Sequence, residues 1–122
     1  MPKATKLEVE TFLEQCRKIA PNSLEIVNTE KNNATRGKLG LNKQIIRDTL
    51  LGLTIEEYSD GPSGDRTRKG EVWIFGVTIE NYEIYIKIKI SKYNDPGDEI
   101  PTLVCLSFHI ADFPQKYPHK SK

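Results

Sequence analysis

The sequence predicts an α+β domain: a small antiparallel β-sheet formed as a meander of the last three strands, with N-terminal helices packed on one of its faces. Three observations carry this. Residues 6–20 repeat apolar side chains at helical spacing, and Glu83-Ile84-Tyr85-Ile86-Lys87-Ile88-Lys89-Ile90 places isoleucine at every second position. The order of helices first and strands last favours segregated layers over a parallel α/β sheet.

Val9, Phe12, Leu13, Cys16, Ile19 and Ala20 recur every three or four residues, so residues 6–20 form an amphipathic helix, which Pro21 and Asn22 end. Leu24 to Val27 reads as a short strand. Residues 29–39 are polar and weakly helical, because Asn32-Asn33 and Gly37 lower helix propensity. Gly40 suits a helix C-cap, and Asn42 can cap the next helix, which carries Ile45, Ile46, Thr49, Leu50 and Leu53. Thr54 and Glu57 have capping-box spacing for a short turn ending near Tyr58. Ser59 to Gly70 reads as a loop of about a dozen residues, a length that tends to carry function. Strands follow over Glu71–Val77, Glu83–Ile90 and Leu103–His109, joined at Asn81 and at Asn94-Asp95-Pro96-Gly97-Asp98.

At 122 residues the chain has the length of one domain, expected to run from 1 to 122 with flexible ends at 1–5 and 115–122. A hydrophobic fraction of 37% and a charged fraction of 29% fit a small domain with much exposed surface. The net charge of +1 lacks the overall basicity of most nucleic-acid binders, so any RNA contact must rest on local clusters. Arg66, Arg68 and Lys69 form one, Lys87, Lys89 and Lys92 a second, and the tail with Lys116, His119, Lys120 and Lys122 a third. Cys16 and Cys105 lack metal-type spacing. No secretory signal or membrane-length apolar run is evident, so two free thiols in a cytoplasmic protein are expected.

Strand phase places Tyr85, Lys87 and Lys89 on one outward face. It places Ser107 and His109 on the neighbouring strand's outward face, if Val104, Leu106 and Phe108 point inward. If the strands pair, these five residues share a surface suited to metal-free RNA cleavage. The 2′-hydroxyl must lose a proton as it attacks phosphorus, and the leaving 5′-oxygen must gain one. Histidine suits either role near neutral pH. Lysines can stabilise the developing negative charge. Tyr85 could stack on a base or hydrogen-bond a phosphate oxygen, and Arg66 and Arg68 could grip phosphates from the loop. The same alternation also describes an ordinary solvated sheet face.

Several segments, in order, resemble MqsR-type toxins. They are Leu39-Gly40-Leu41, Leu50-Leu51-Gly52-Leu53, Glu57-Tyr58, Gly61-Pro62 with Asp65, and Gly70-Glu71-Val72-Trp73-Ile74-Phe75-Gly76. Tyr85-Ile86-Lys87-Ile88-Lys89 and Leu106-Ser107-Phe108-His109-Ile110-Ala111-Asp112-Phe113-Pro114 complete the set. The resemblance spans about Leu24 to Pro118. It implies a RelE-like fold and a messenger-RNA interferase, the toxin of a bacterial type II toxin–antitoxin pair. It also implies a cognate antitoxin with a zinc-binding module and a helix-turn-helix. The better-known branch uses a tyrosine that Tyr85 matches and a lysine where this chain has His109. Its other lysine and its glutamine fall at Ser59 and Ile74, so the catalytic set is matched in part. The expected site is therefore His109, Tyr85 and Lys87 as catalytic groups, with Lys89, Ser107, Arg66 and Arg68 binding substrate and no cofactor or metal. The alternative is a non-catalytic protein-binding module, or a degenerate toxin that only holds its antitoxin.

Overall fold

Each of the three helices begins at a side-chain cap supplied by the local sequence. The computed structural model describes residues 3–64, 70–91 and 101–121. Helix α1 (Lys6–Ile19) opens with a capping box in which Thr5 Oγ1 accepts from the Glu8 N–H at 3.1 Å and Glu8 Oε1 accepts from the Thr5 N–H at 2.8 Å. Helix α2 (Glu30–Leu39) is capped by Thr29 and ends at Gly40, whose left-handed φ of 66° suits glycine. Helix α3 (Lys43–Leu51) is capped by Asn42, which accepts from the Ile45 N–H at 2.8 Å. Thr54 and Glu57 form the expected capping box over a 3₁₀ turn, Ile55–Glu57.

The strands are β1 (Leu24–Ile26), β2 (Tyr58–Gly64), β3 (Glu71–Ile79), β4 (Tyr82–Ser91) and β5 (Thr102–Ile110). They form one sheet in the order β1-β5-β4-β3-β2, antiparallel except where β1 joins β5 in parallel. The fold is α+β with a mostly antiparallel sheet, and β3-β4-β5 is the expected meander. Ser59 to Gly64, expected to be loop, is instead most of an edge strand. Two register irregularities between β2 and β3, the second spanning Gly61-Pro62, hide its period-2 pattern from the sequence. Residues 65–69 and 92–100 lie outside the described residues, and with them Arg66, Arg68, Lys69, Lys92 and the turn at Asn94 to Asp98.

One face of the sheet carries the core. Phe75, Ile84, Ile86, Ile88, Leu103, Cys105 and Phe108 meet Val9, Phe12, Leu13 and Cys16 of α1 and Ile46 and Leu50 of α3. Phe12 stacks on Trp73 with ring centroids 4.3 Å apart. Both cysteines are free and buried, and burial pushes each thiol up to about 12.

Helix α2 does not lie on that face; it caps the sheet edge. Strand β1 pairs β5 only as far as Cys105, which would leave the rest of the β5 edge open. There Asn32 Oδ1 accepts from the Phe108 N–H at 3.0 Å, and its Nδ2 donates to the carbonyls of Leu106 at 3.2 Å and Val27 at 2.9 Å. Thr35 Oγ1 accepts from the Ile110 N–H at 3.0 Å. Asn32 and Thr35 are both buried, so side chains here satisfy amides that a neighbouring strand would otherwise take. That requirement explains why α2 is polar.

Within the ends expected to be flexible, the described residues make defined contacts. Ala4 N–H donates to the buried Tyr58 hydroxyl at 2.9 Å, and His119 stacks on the Tyr58 ring at 5.4 Å. His119 Nε2 also hydrogen-bonds the Ala4 carbonyl at 2.7 Å. Between these points the tail crosses the second sheet face. Gln115 N–H donates to Glu83 at 3.1 Å and the Tyr117 hydroxyl donates to Glu83 at 2.5 Å. It passes over Gly76, where any Cβ would collide with Tyr117 Oη and Gln115 Nε2. His119 thus fastens the tail to the N-terminal segment.

Candidate active site

The second face of the sheet holds the candidate site, positioned by strand register. Tyr85 of β4 lies opposite Gly76 of β3 on one side and His109 of β5 on the other. Two residues along, Lys87 lies opposite Ile74 and Ser107. Ile74, Tyr85, Lys87, Ser107 and His109 floor a depression of about 500 Å³, walled by Ser59 and Asp60 of β2, by Lys31 of α2, and by residues 111–115 where the chain leaves β5. Ser59 and Ile74, which stand where the resemblance implies a lysine and a glutamine, thus line the same depression as Tyr85 and His109.

The rings of Tyr85 and His109 stack with centroids 5.4 Å apart and planes 28° from parallel. His109 Nδ1 lies 2.9 Å from the Ile110 carbonyl oxygen, which can only accept. The neutral ring therefore carries its proton on Nδ1 and its lone pair on Nε2, a tautomer fixed by backbone. Among the described residues Nε2 has no hydrogen-bond partner.

Burial first, and the Asp60 carboxylate second, raise the Tyr85 phenol above its ordinary value. Tyr85 is therefore a protonated hydrogen-bond donor at neutral pH. Asp60 itself is held below the usual carboxylate range, chiefly by its hydrogen bond from Lys3 at 2.9 Å. Across the depression, Lys31 contacts Asp112 at 2.6 Å and lowers that carboxyl in the same way.

Lys89 departs from expectation. It shares the face of Tyr85 and Lys87 but is 2% exposed, opposite the equally covered Val104. A β-bulge in β5 sets its cross-strand neighbour. Lys87 pairs with Ser107 but Ile88 pairs with Cys105, leaving Leu106 as the extra residue. The bulge reverses the alternation before it, so Val104, expected inward, turns to the second face, while Cys105 and Leu103 enter the core. Leu106 is only half-buried.

Of the expected site residues, the structure brings together Tyr85, Lys87, Ser107 and His109, and sets Lys89 beyond them under cover. Lys31, Asp60 and Asp112 were not singled out as site residues from sequence. No local pattern flags Lys31, which α2 brings in from the sheet edge, and Asp60 lay in what read as a loop. Comparison with protein-family models, curated proteins and solved structures finds no match to the chain.

Proposed function

We propose that the chain is a messenger-RNA interferase, a metal-independent endoribonuclease acting on single-stranded RNA by attack of the 2′-hydroxyl. The observation that carries this reading is the stacked Tyr85–His109 pair, with His109 Nε2 unpartnered and Lys87 two residues along the same floor. In this mechanism Nε2 takes the 2′-hydroxyl proton as the 2′-oxygen bonds to phosphorus. The phosphorus–5′-oxygen bond then breaks, and the 5′-oxygen leaves as an alcohol with a proton from Tyr85 or water. Lys87 offsets the charge that grows on the non-bridging oxygens. The products are a 2′,3′-cyclic phosphate and a 5′-hydroxyl.

The RelE-like assignment, the toxin role and an antitoxin partner with a zinc-binding module and a helix-turn-helix rest on the sequence resemblance, and a cytoplasmic location rests on the two free cysteines. No helix among the described residues is long and apolar enough to cross a membrane. One observation favours a second reading, a non-catalytic domain that binds a protein partner. Asp60 and Asp112 place carboxylates beside the depression and pair with Lys3 and Lys31, which weakens its pull on a polyanion.

Cleavage of a mixed-sequence single-stranded RNA separates the two. Wild type is expected to cut with chelator present and to leave cyclic phosphate ends, and His109→Ala to lose about 10²-fold or more. Absence of cutting by wild type, on free RNA and on translating ribosomes alike, would favour the binding module.

A further inference from the structure

Phe113 is 79% exposed, which for a large apolar side chain calls for a reason. It stands on the wall of the depression that holds His109. Among the described residues the other exposed large apolar side chains, Leu7, Ile45 and Tyr82, do not line that depression, so Phe113 is not joined by another exposed large apolar group there. Among the described residues its ring stacks on no other aromatic.

The backbone around it is nonetheless fixed. Ala111 N–H donates to the Glu83 carbonyl at 2.8 Å, Asp112 is paired with Lys31 at 2.6 Å, and Gln115 N–H donates to the Glu83 carboxylate at 3.1 Å. Pro114 removes one backbone freedom more. A ring held outward on an anchored segment, next to polar and cationic groups, suits a ligand that is apolar on its flat face and charged along its backbone. A nucleotide has that character. A protein partner would call for a broader apolar patch.

We infer that Phe113 is a stacking platform for a nucleobase of the RNA next to the scissile phosphate, and so a substrate-positioning residue. This rests on the ribonuclease reading. Base–aromatic stacking of about 1–3 kcal/mol corresponds to about 5- to 150-fold in affinity.

The test measures binding of a short single-stranded RNA carrying 2′-O-methyl groups throughout, which cannot be cleaved, alongside cleavage of the unmodified strand. Phe113→Ala is expected to weaken binding within that range, and Phe113→Trp to restore it. A single abasic position should weaken wild type at one place in the strand and leave Phe113→Ala indifferent to it. If wild type binds and cleaves RNA while Phe113→Ala binds equally well, the platform is overturned and the ribonuclease stands. If wild type neither binds nor cleaves, both fall, and Phe113 becomes a contact for a protein partner.

Discussion

Lys87 and Lys89 stand two residues apart on one face of β4, yet Lys87 lines the open depression while Lys89 is 2% exposed. Identical side chains, each between two isoleucines, thus take opposite environments: Lys87 lies opposite Ser107, and past the bulge at Leu106 Lys89 lies opposite the buried Val104. Lys87→Ala should leave stability within about 0.5 kcal/mol and reduce RNA cleavage. Lys89→Ala should cost about 1–3 kcal/mol, because it removes a covered, partnered group together with the packing of its stem. Chemical denaturation of both variants, paired with cleavage assays, checks the contrast. Equal stabilities would mean that Lys89 reaches solvent.

Asn32→Ala should be among the most destabilising polar substitutions in the chain. It removes the acceptor for the Phe108 N–H and the donor to the Leu106 and Val27 carbonyls, all at a buried strand edge. A loss of about 3 kcal/mol is expected, read from urea unfolding. Hydrogen exchange at the Phe108 amide should accelerate in step. An unchanged midpoint would mean that β5 holds its edge without α2.

Tyr85→Phe keeps the ring on His109 and removes only the hydroxyl. Cleavage should fall about 10²-fold with little change in unfolding midpoint. Asp60→Asn tests the electrostatics separately. A nearby carboxylate disfavours phenolate, so removing it should lower the Tyr85 titration midpoint, while burial, the larger cause, keeps that midpoint above free tyrosine. The phenolate absorbance difference between Asp60→Asn and Asp60→Asn/Tyr85→Phe isolates this one tyrosine. An unmoved midpoint would rule out coupling between the two groups.

Glu8, Asp60 and Asp112 all have carboxyls lowered in the folded state, Glu8 by its capping bonds with Thr5 and the aspartates by Lys3 and Lys31. A lowered folded pKa stabilises the protein above the unfolded value, about 4 for these groups, and that stability is lost as pH falls through the folded value. Melting temperature should therefore fall from about pH 5 downward. Asp60→Asn and Asp112→Asn should each flatten the fall, and added salt should reduce the differences because all three groups are largely exposed. An acid limb identical in both variants would remove the two ion pairs as its source.

Much of the fold was legible because its causes are local. The spacing in α1, the caps at Asn42 and Gly40, the box at Thr54 and Glu57 and the alternation in β4 each depend on residues a few positions apart. The same alternation placed Tyr85 and Lys87 correctly, and the pairing of β4 with β5 set His109 and Ser107 beside them. The bulge could not be read, since one extra residue in β5 shows only against the strand it pairs with. Nor could β2, whose irregular register leaves no period, or the parallel pairing of β1, which reads as a short strand but joins a strand far along the chain. Lys31, Asp60 and Asp112 joined the site only when α2 capped the sheet edge and β2 closed its other side. The sequence by itself determined the helices, the strands other than β2, and which way most side chains point. Tertiary structure decided which strands are neighbours, where the register slips and therefore which charges meet, because each depends on contacts between residues distant in the chain.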